Sequence, residues 1–210
     1  MWPPEALEFL RELEDNNDSD WFRANRQRYD EQLRDPTRAT AARLSDFGEP
    51  HYFRPYNNLR YRPGPPLKEN IAVAFGWRSG GFYVHLSLDG LIVAAGMFRP
   101  ARDQLERFRA AINDGRRANG FERAVNTAES AGMSLVSPEL KRAPRGYPQD
   151  HPRVDRLRLK RMTVSCRHQL GPWLHEPACD ERIRVQFEAS RPLVKWLADT
   201  VGPSELPPRD

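Results

Sequence analysis

The chain has 210 residues, about the length of one domain, with 39% hydrophobic and 30% charged residues, which predicts a modest core beneath a heavily solvated surface. Two cysteines exclude a disulfide framework, and the longest apolar stretch, 91–98, is far shorter than the roughly 20 residues of a membrane-spanning helix. The beginning of the sequence, MWPPEALEFL, lacks the pattern of a signal peptide. We therefore expect a soluble, cytoplasmic protein with no membrane partner.

The formal net charge is +4, and arginine supplies most of the positive side. Only four of the 33 basic residues are lysines, so 29 are arginines. Guanidinium groups bind carboxylates and phosphates bidentately, although such an excess also arises from coding bias. The 29 acidic residues are scattered among the arginines, without a basic tail or stripe, and this pattern does not support a nucleic-acid partner.

Residues 1–48 predict a helical section. Apolar residues recur at helical spacing until Asn16-Asn17 ends the first run. Asp18 or Ser19 is expected to cap a second helix, and Asp35-Pro36 is expected to break that helix before a short third one.

In residues 51–100 the apolar residues recur with a period of two, and this pattern predicts an antiparallel β-meander. The strand-like runs are separated by turns rich in proline and glycine, and they cover residues 52–61, 70–77, 81–88 and 91–98. The pair Asp89-Gly90 between the last two runs is typical of a type I′ hairpin turn.

Residues 101–200 again predict helices, here around a basic loop segment at 138–161. The expected helices cover residues 101–114, 118–131 and 178–200, the last bent or split at Pro192. Short elements are expected at residues 154–159, as a helical turn or a strand, and at residues 163–166, as a strand. Residues 201–210 are expected to form a frayed tail.

These elements together predict the α+β class in a single domain. A meander of three to five antiparallel strands is expected to pack with N-terminal, central and C-terminal helices. No internal repeat and no clean linker divide the chain.

Four stretches carry a resemblance to a known family. In chain order they are FLRELEDNNDSDWFRANRQRYD, GFYVHLSLDGLIVAAGMFRPARDQLERFRAAI, LKRAPRGYPQDHPRVDRLRLK and FEASRPLVKWL. With the pairs Asn16-Asn17 and Trp21-Phe22, and the spacing Pro144…Gly146…His151-Pro152, they resemble the uncharacterised bacterial and fungal family called domain of unknown function 2461. The resemblance spans nearly the whole chain and implies no particular activity.

The loop at residues 57–66 departs from the pattern of that family. Similar sequences carry an arginine–aspartate pair and a turn rich in aspartate and lysine, where this chain has Asn57-Asn58 and a Pro-Gly-Pro turn. The positions that match the family are Arg60, Pro66, Lys68 and Asn70. If the charges missing here are catalytic in the family, this chain is a divergent or inactive member.

A cationic loop cluster is the predicted binding site for a phosphate or carboxylate, because several convergent basic groups suit such a ligand. Its members come from the first strand, the loop that follows and the later basic segment: Arg54, Arg60, Lys68, Asn70, Lys141, Arg142 and Lys160. The alternative is that these are surface charges paired with nearby acids.

His85 is the candidate catalytic residue. It alternates along a strand with Tyr83 and Ser87, opposite an apolar face, so it could exchange a proton near neutral pH. The alternative is a half-exposed histidine satisfied by a neighbour. His151, beside Pro152, is expected to have a structural role in a turn.

A metal site is not predicted, although four potential zinc ligands fall within 14 residues: Cys166, His168, His175 and Cys179. Thiolate and imidazole suit Zn²⁺, but the spacing C-x-H-x₆-H-x₃-C differs from common zinc motifs, and free cysteines are also common core residues. The sequence names no cofactor.

Two functions remain open. The first is a small-molecule enzyme or binding protein that recognises an anionic ligand through the cationic loop cluster. The second is a non-catalytic module that binds a protein partner, as a degenerate member of the family would.

Overall fold

The computed structural model describes residues 1–60, 63–76 and 80–207. Its α-helices are α1 (Glu5–Asp15), α2 (Ser19–Ala24), α3 (Arg26–Tyr29), α4 (Asp35–Arg43), α5 (Arg102–Asn113), α6 (Gly115–Ser130), α7 (Val154–Leu157) and α8 (Ala178–Thr200). Its strands are β1 (Pro50–Tyr52), β2 (Asn70–Phe75), β3 (Gly81–Ser87), β4 (Gly90–Met97), β5 (Ser134–Leu135) and β6 (Met162–His168). The predicted α+β class is confirmed.

The strands form one six-stranded antiparallel sheet in the order β1-β2-β3-β4-β6-β5. At one edge His51 of β1 lies opposite Ala74 of β2, and at the other edge Leu135 of β5 lies opposite Val164 of β6. The four strands of the predicted meander are therefore neighbours in chain order, while β6 adds to the side of β4. The two-residue β5 was not predicted, because two residues carry no periodicity.

The chain divides into two compact units. The first unit comprises Met1–Phe75, Tyr83–Val93 and Arg167–Arg184, and the second comprises Gly76–Phe82, Ala94–Cys166 and Val185–Asp210. Strands β3 and β4 each contribute residues to both units.

The core of the first unit forms around the apolar side of the N-terminal helices. α1 buries Phe9, which lies 6.0 Å from the Tyr29 ring, and Phe22 meets the same ring edge-on at 5.1 Å. Trp2 is also buried, and its indole Nε1–H donates to Thr37 Oγ1 at 2.8 Å. Each such buried side chain contributes about 1.5–3 kcal/mol of stability.

The predicted break at Asp35-Pro36 is wrong, because the helical path continues through it. α3 passes into a π-helical turn at Asp30–Arg34, and α4 follows directly at Asp35. Pro36 lies in the first turn of α4, directly after the π-helical turn, and there it removes one backbone donor without ending the helical path. Asp18 caps α2 as predicted, accepting from the backbone N–H groups of Asp20 and Trp21.

The first predicted strand, at residues 52–61, is also corrected. β1 spans only Pro50–Tyr52, and the residues described beyond it, up to Arg60, form an irregular loop. The hairpin between β3 and β4 forms as predicted, but not as a type I′ turn, since no described non-glycine residue has a positive φ. Gly90, with φ +131°, instead begins β4.

The second unit buries an aromatic cluster between its helices. Phe108 of α5 and Phe121 of α6 meet edge-on at 5.3 Å, and the Trp196 ring of α8 lies 5.2 Å from Phe121. Pro192 lies inside α8 without splitting it. In the described part of the chain, no helix combines the length and the apolar character needed to cross a membrane.

Gly96 marks a close approach of β4 to β6. It has φ +119°, and a Cβ atom placed there would lie 2.0 Å from the carbonyl oxygen of Met162. Neither strand can move away without breaking the ladder of backbone hydrogen bonds. This position therefore requires glycine both for its conformation and for the space.

We predict that Gly96→Ala destabilises the protein by about 3 kcal/mol or more, because a left-handed conformation and a backbone clash both oppose the methyl group. Gly132→Ala is the matched control: φ is +79° there and nothing lies within 4 Å of the added atom. It should lose only the conformational part, about 1–2 kcal/mol. Urea unfolding measures the loss of stability in both variants, and equal losses would show that the close approach to Met162 does not contribute to the cost of Gly96→Ala.

Candidate functional site

The loop between β1 and β2 is held in place by Asn17. The side chain of Asn17 accepts from the backbone N–H of Leu67 at 3.0 Å and donates to the carbonyl oxygen of the same residue at 3.1 Å. Its amide also donates to the Glu69 carboxylate at 2.7 Å. Leu67 is buried, so these bonds fix the end of the loop immediately before Lys68 and β2.

Asn57 closes the same loop from the other side. Its side-chain amide donates to the carbonyl oxygens of Pro65 and Leu67, each at 2.9 Å, and its backbone N–H donates to the carbonyl of Pro66 at 2.8 Å. Asn57 therefore ties the loop together although it departs from the family pattern.

Lys68 lies where this loop meets the sheet. Its backbone N–H donates to the carbonyl of Pro55, and its Nζ donates to the carbonyl of Arg54 at 2.9 Å. The ammonium group also lies 5.9 Å from the centre of the Phe53 ring. Burial, and then the positive charge of Arg54, lower the pKa of Lys68 from its usual value.

His85 lies on the same face of the sheet as Phe53. The Phe53 ring meets the Tyr83 ring edge-on at 6.0 Å, and Tyr83 Oη is hydrogen-bonded to His85 Nδ1 at 3.1 Å. The alternation of β3 turns both side chains to the half-buried face, since Phe82, Val84 and Leu86 are buried on the other. We call this region the basic face and define it by Phe53, Arg54, Lys68, Tyr83 and His85, together with Arg167, whose charge acts on His85 and which also pairs with Asp89 at 3.6 Å.

The basic face favours neutral imidazole and neutral phenol. Burial, followed by the positive charge of Arg167, lowers the pKa of His85 below 6.5, while Asp89 opposes part of the shift. Burial also raises the pKa of the Tyr83 hydroxyl. At neutral pH, His85 is therefore neutral, with one ring nitrogen able to accept a proton, and its Nδ1 is hydrogen-bonded to Tyr83 Oη in either tautomer.

The predicted cationic loop cluster is divided between the two units. Arg54 and Lys68 lie side by side in the first unit, where the exposed Arg60 follows in the loop and Asn70 begins β2. Lys141, Arg142 and Lys160 are exposed residues of the second unit. They flank a point where the backbone N–H groups of Glu139 and Leu140 both donate to the carbonyl of Arg158.

The four potential zinc ligands do not form a cluster. The described residues contain no group of three or more histidine, cysteine or acidic side chains arranged to hold a metal ion. Burial raises the pKa of the Cys179 thiol to about 11, so it stays protonated in the core. His175 is hydrogen-bonded through Nδ1 to the carbonyl of Trp2, and His168 lies against the Trp173 ring.

Tyr83 and Arg167 were not predicted as site residues from the sequence. Tyr83 could have been chosen, because it is two residues from His85 and therefore on the same side of β3. Arg167 is 82 positions away in β6, and only the order of the strands brings its charge close enough to act on His85.

We predict that Asn17→Ala destabilises the protein by about 1–3 kcal/mol, because the Leu67 backbone N–H and the Glu69 carboxylate both lose their partner. Asn16→Ala is the matched control, since its side chain makes one exposed bond, to the carbonyl of Glu12. It should cost less than about 1 kcal/mol. Chemical denaturation gives both values, and equal effects would contradict a specific role of Asn17.

We predict that the imidazole of His85 titrates below pH 6.5 when followed by NMR. Arg167→Gln should raise this midpoint without restoring it fully, because burial is the larger cause of the shift. Arg23→Gln, a change at an exposed residue of α2, should leave it unchanged. A midpoint at or above 6.5 would contradict the burial of the imidazole.

The same shift has a consequence for stability. Below pH 6.5 the unfolded chain binds a proton at His85 that the folded protein does not bind until the pH reaches the lower folded-state pKa. The free energy of unfolding therefore falls as the pH falls through this window. His85→Gln should reduce that pH dependence.

Comparisons with known proteins agree with the resemblance found in the sequence. Neither the comparison with curated proteins nor that with solved structures gave a significant match. A family model described as conserved hypothetical protein (DUF2461) matches residues 5–196, which include α1 and most of α8 as well as the whole sheet. The chain belongs to this family.

Proposed function

We propose that the protein binds a small organic anion, a phosphate or a carboxylate, on the basic face, and that His85 exchanges a proton with it. The observation that carries this proposal is the environment of Lys68. Its ammonium group is partly desolvated, and within the described residues no carboxylate lies within 4 Å of Lys68 or Arg54. A bound anion would supply the missing countercharge.

The other arginines support this assignment, because among the described residues many of them are paired with carboxylates and Arg54 and Lys68 are not. The described part of the chain contains many arginine–carboxylate pairs, such as Arg28 with Glu12 at 2.7 Å and Arg156 with Glu122 at 2.8 Å. Nearby acids therefore satisfy much of the basic surface. Lys68 and Arg54 lie outside these pairs, although Glu69 directly follows Lys68 and is bound to Asn17 instead.

His85 supports the proton-transfer part of the proposal. A neutral imidazole on a surface with three further cationic groups is suited to accept a proton from an anionic ligand, because the ligand's charge would stabilise the imidazolium that forms. In the tautomer in which Nδ1–H donates to Tyr83 Oη, the ring would be held in one orientation and Nε2 would present its lone pair to the ligand's proton. Lys68 and Arg54 would then bind the charged group, and Phe53 would contact its carbon atoms.

The alternative, a protein-binding module, is favoured by one observation. Tyr52, Tyr56 and Leu59 lie close together in the chain and are 39%, 43% and 46% exposed, respectively.

Native mass spectrometry of the protein purified from cells separates the two functions. A small added mass that disappears on denaturation supports the anion, whereas the bare chain or a protein complex supports the module.

We predict that inorganic phosphate, titrated at constant ionic strength, shifts the NMR signals of His85 and raises its pKa, because a nearby negative charge favours the imidazolium. Lys68→Gln should weaken this binding about tenfold or more, corresponding to the loss of one charged hydrogen bond. Lys195→Gln is the matched control, since Lys195 is exposed and paired with Asp199 at 2.8 Å. Equal affinities of both variants would exclude Lys68 from the site.

A further inference from the structure

A cleft of about 660 Å³ lies in the second unit, separate in sequence from every residue of the basic face. One wall is a side of α5, where Arg102, Leu105 and Arg109 recur at helical spacing and face the cleft. Pro144, Arg145 and Tyr147 form the other wall. The volume falls within the roughly 300–1,000 Å³ typical of small-molecule sites.

The second wall of the cleft is a β-turn closed by a backbone hydrogen bond. The backbone N–H of Tyr147 donates to the carbonyl of Pro144 at 3.2 Å, and Gly146 has φ +92°, which is typical of the third position of a type II turn. This conformation brings Arg145 and Tyr147 to the same cleft. The sequence motif around Pro144 and Gly146 therefore has a structural reason.

His151 fastens the same segment to α5. The ring Nδ1 accepts from the backbone N–H of Arg153 at 3.0 Å, so Nε2 carries the proton and donates to Asn113 Oδ1 at 3.1 Å. Asn113 is the last residue of α5, the helix that forms the first wall. The two walls are thus joined at one end by side-chain hydrogen bonds.

The charged groups of the cleft are mostly positive. Arg109 donates through Nε to the carbonyl of Leu157 at 3.3 Å, which directs its guanidinium group while leaving both Nη groups available. Across the described ranges, no carboxylate lies within 4 Å of Arg109 or Arg145. The one acidic group of the lining, Glu106, is bound to Arg102 at 3.0 Å. Burial lowers the pKa of Arg109, and the charges of Tyr147 and Glu106 oppose only part of this shift.

The uncharged part of the lining is apolar or aromatic and comes from Pro100, Leu105, Pro144 and Tyr147. Such a surface is suited to a flat or hydrocarbon body. We propose that this cleft binds a second small molecule, an organic oxyanion whose carboxylate or phosphate lies between Arg109 and Arg145 and whose apolar body lies against Tyr147 and Leu105.

Phenyl phosphate combines both features and is the probe. Calorimetric titration is performed with protein carrying Lys68→Gln, so that the basic face does not contribute. We expect saturable binding that is stronger than that of inorganic phosphate or benzyl alcohol alone, and NMR shifts at the backbone amides of Arg145 and Tyr147. Added Arg109→Gln and Arg145→Gln changes should each weaken binding about tenfold or more.

Arg116→Gln is the matched control, because Arg116 is an exposed residue of α6 outside the cleft lining. It should leave the affinity unchanged. Arg145 lies in an exposed turn, so its variant keeps the test decisive if Arg109→Gln fails to fold. Absence of saturable binding, or equal affinity in all arginine variants, would overturn this proposal. Binding that disappears with Lys68→Gln alone would assign the ligand to the basic face instead.

Discussion

The alternation of side chains along β3 is the constraint on which the candidate site depends. Phe82, Val84 and Leu86 enter the core, so Tyr83 and His85 must point the other way. A shift of one residue in register would bury the imidazole and expose the three apolar side chains, at a cost of several kcal/mol. The same alternation that stabilises the sheet therefore creates the polar surface on which the candidate site is built.

The excess of arginine has more than one physical role. Arg28 and Arg156 form ion pairs, and Arg107 donates to the backbone carbonyls of Val201 and Pro203, tying the end of the chain to α5. Such arginines stabilise the fold through contacts within the chain. More informative are cations such as Arg109 in its cleft, which has no carboxylate within 4 Å in the described structure and whose desolvation Glu106 offsets only in part. Composition alone could not separate the two groups.

The features that depend on interactions between residues close in the sequence were predicted correctly from sequence patterns. The cap at Asp18, the helix at residues 178–200 and the alternation of β3 were all correctly predicted, since each depends on neighbours a few residues away. The continuation of the helical path past Pro36 was missed, because a proline in a first turn has the same sequence signal as one that ends a helix. Arg167 was missed as a site residue, because its electrostatic influence on His85 depends on the order of the strands, which puts β6 two strands from β3.

The divergent loop does not by itself imply an inactive member of the family. Asn57 stands where similar sequences carry the arginine of the pair, and its side-chain amide donates to the carbonyls of Pro65 and Leu67. In this loop a neutral amide therefore closes the turn without a charged group. Lys68 depends instead on the carbonyl of Arg54 and on the Asn17 contacts that precede it. Loss of the family's charged pair thus leaves the cationic group of the basic face in place.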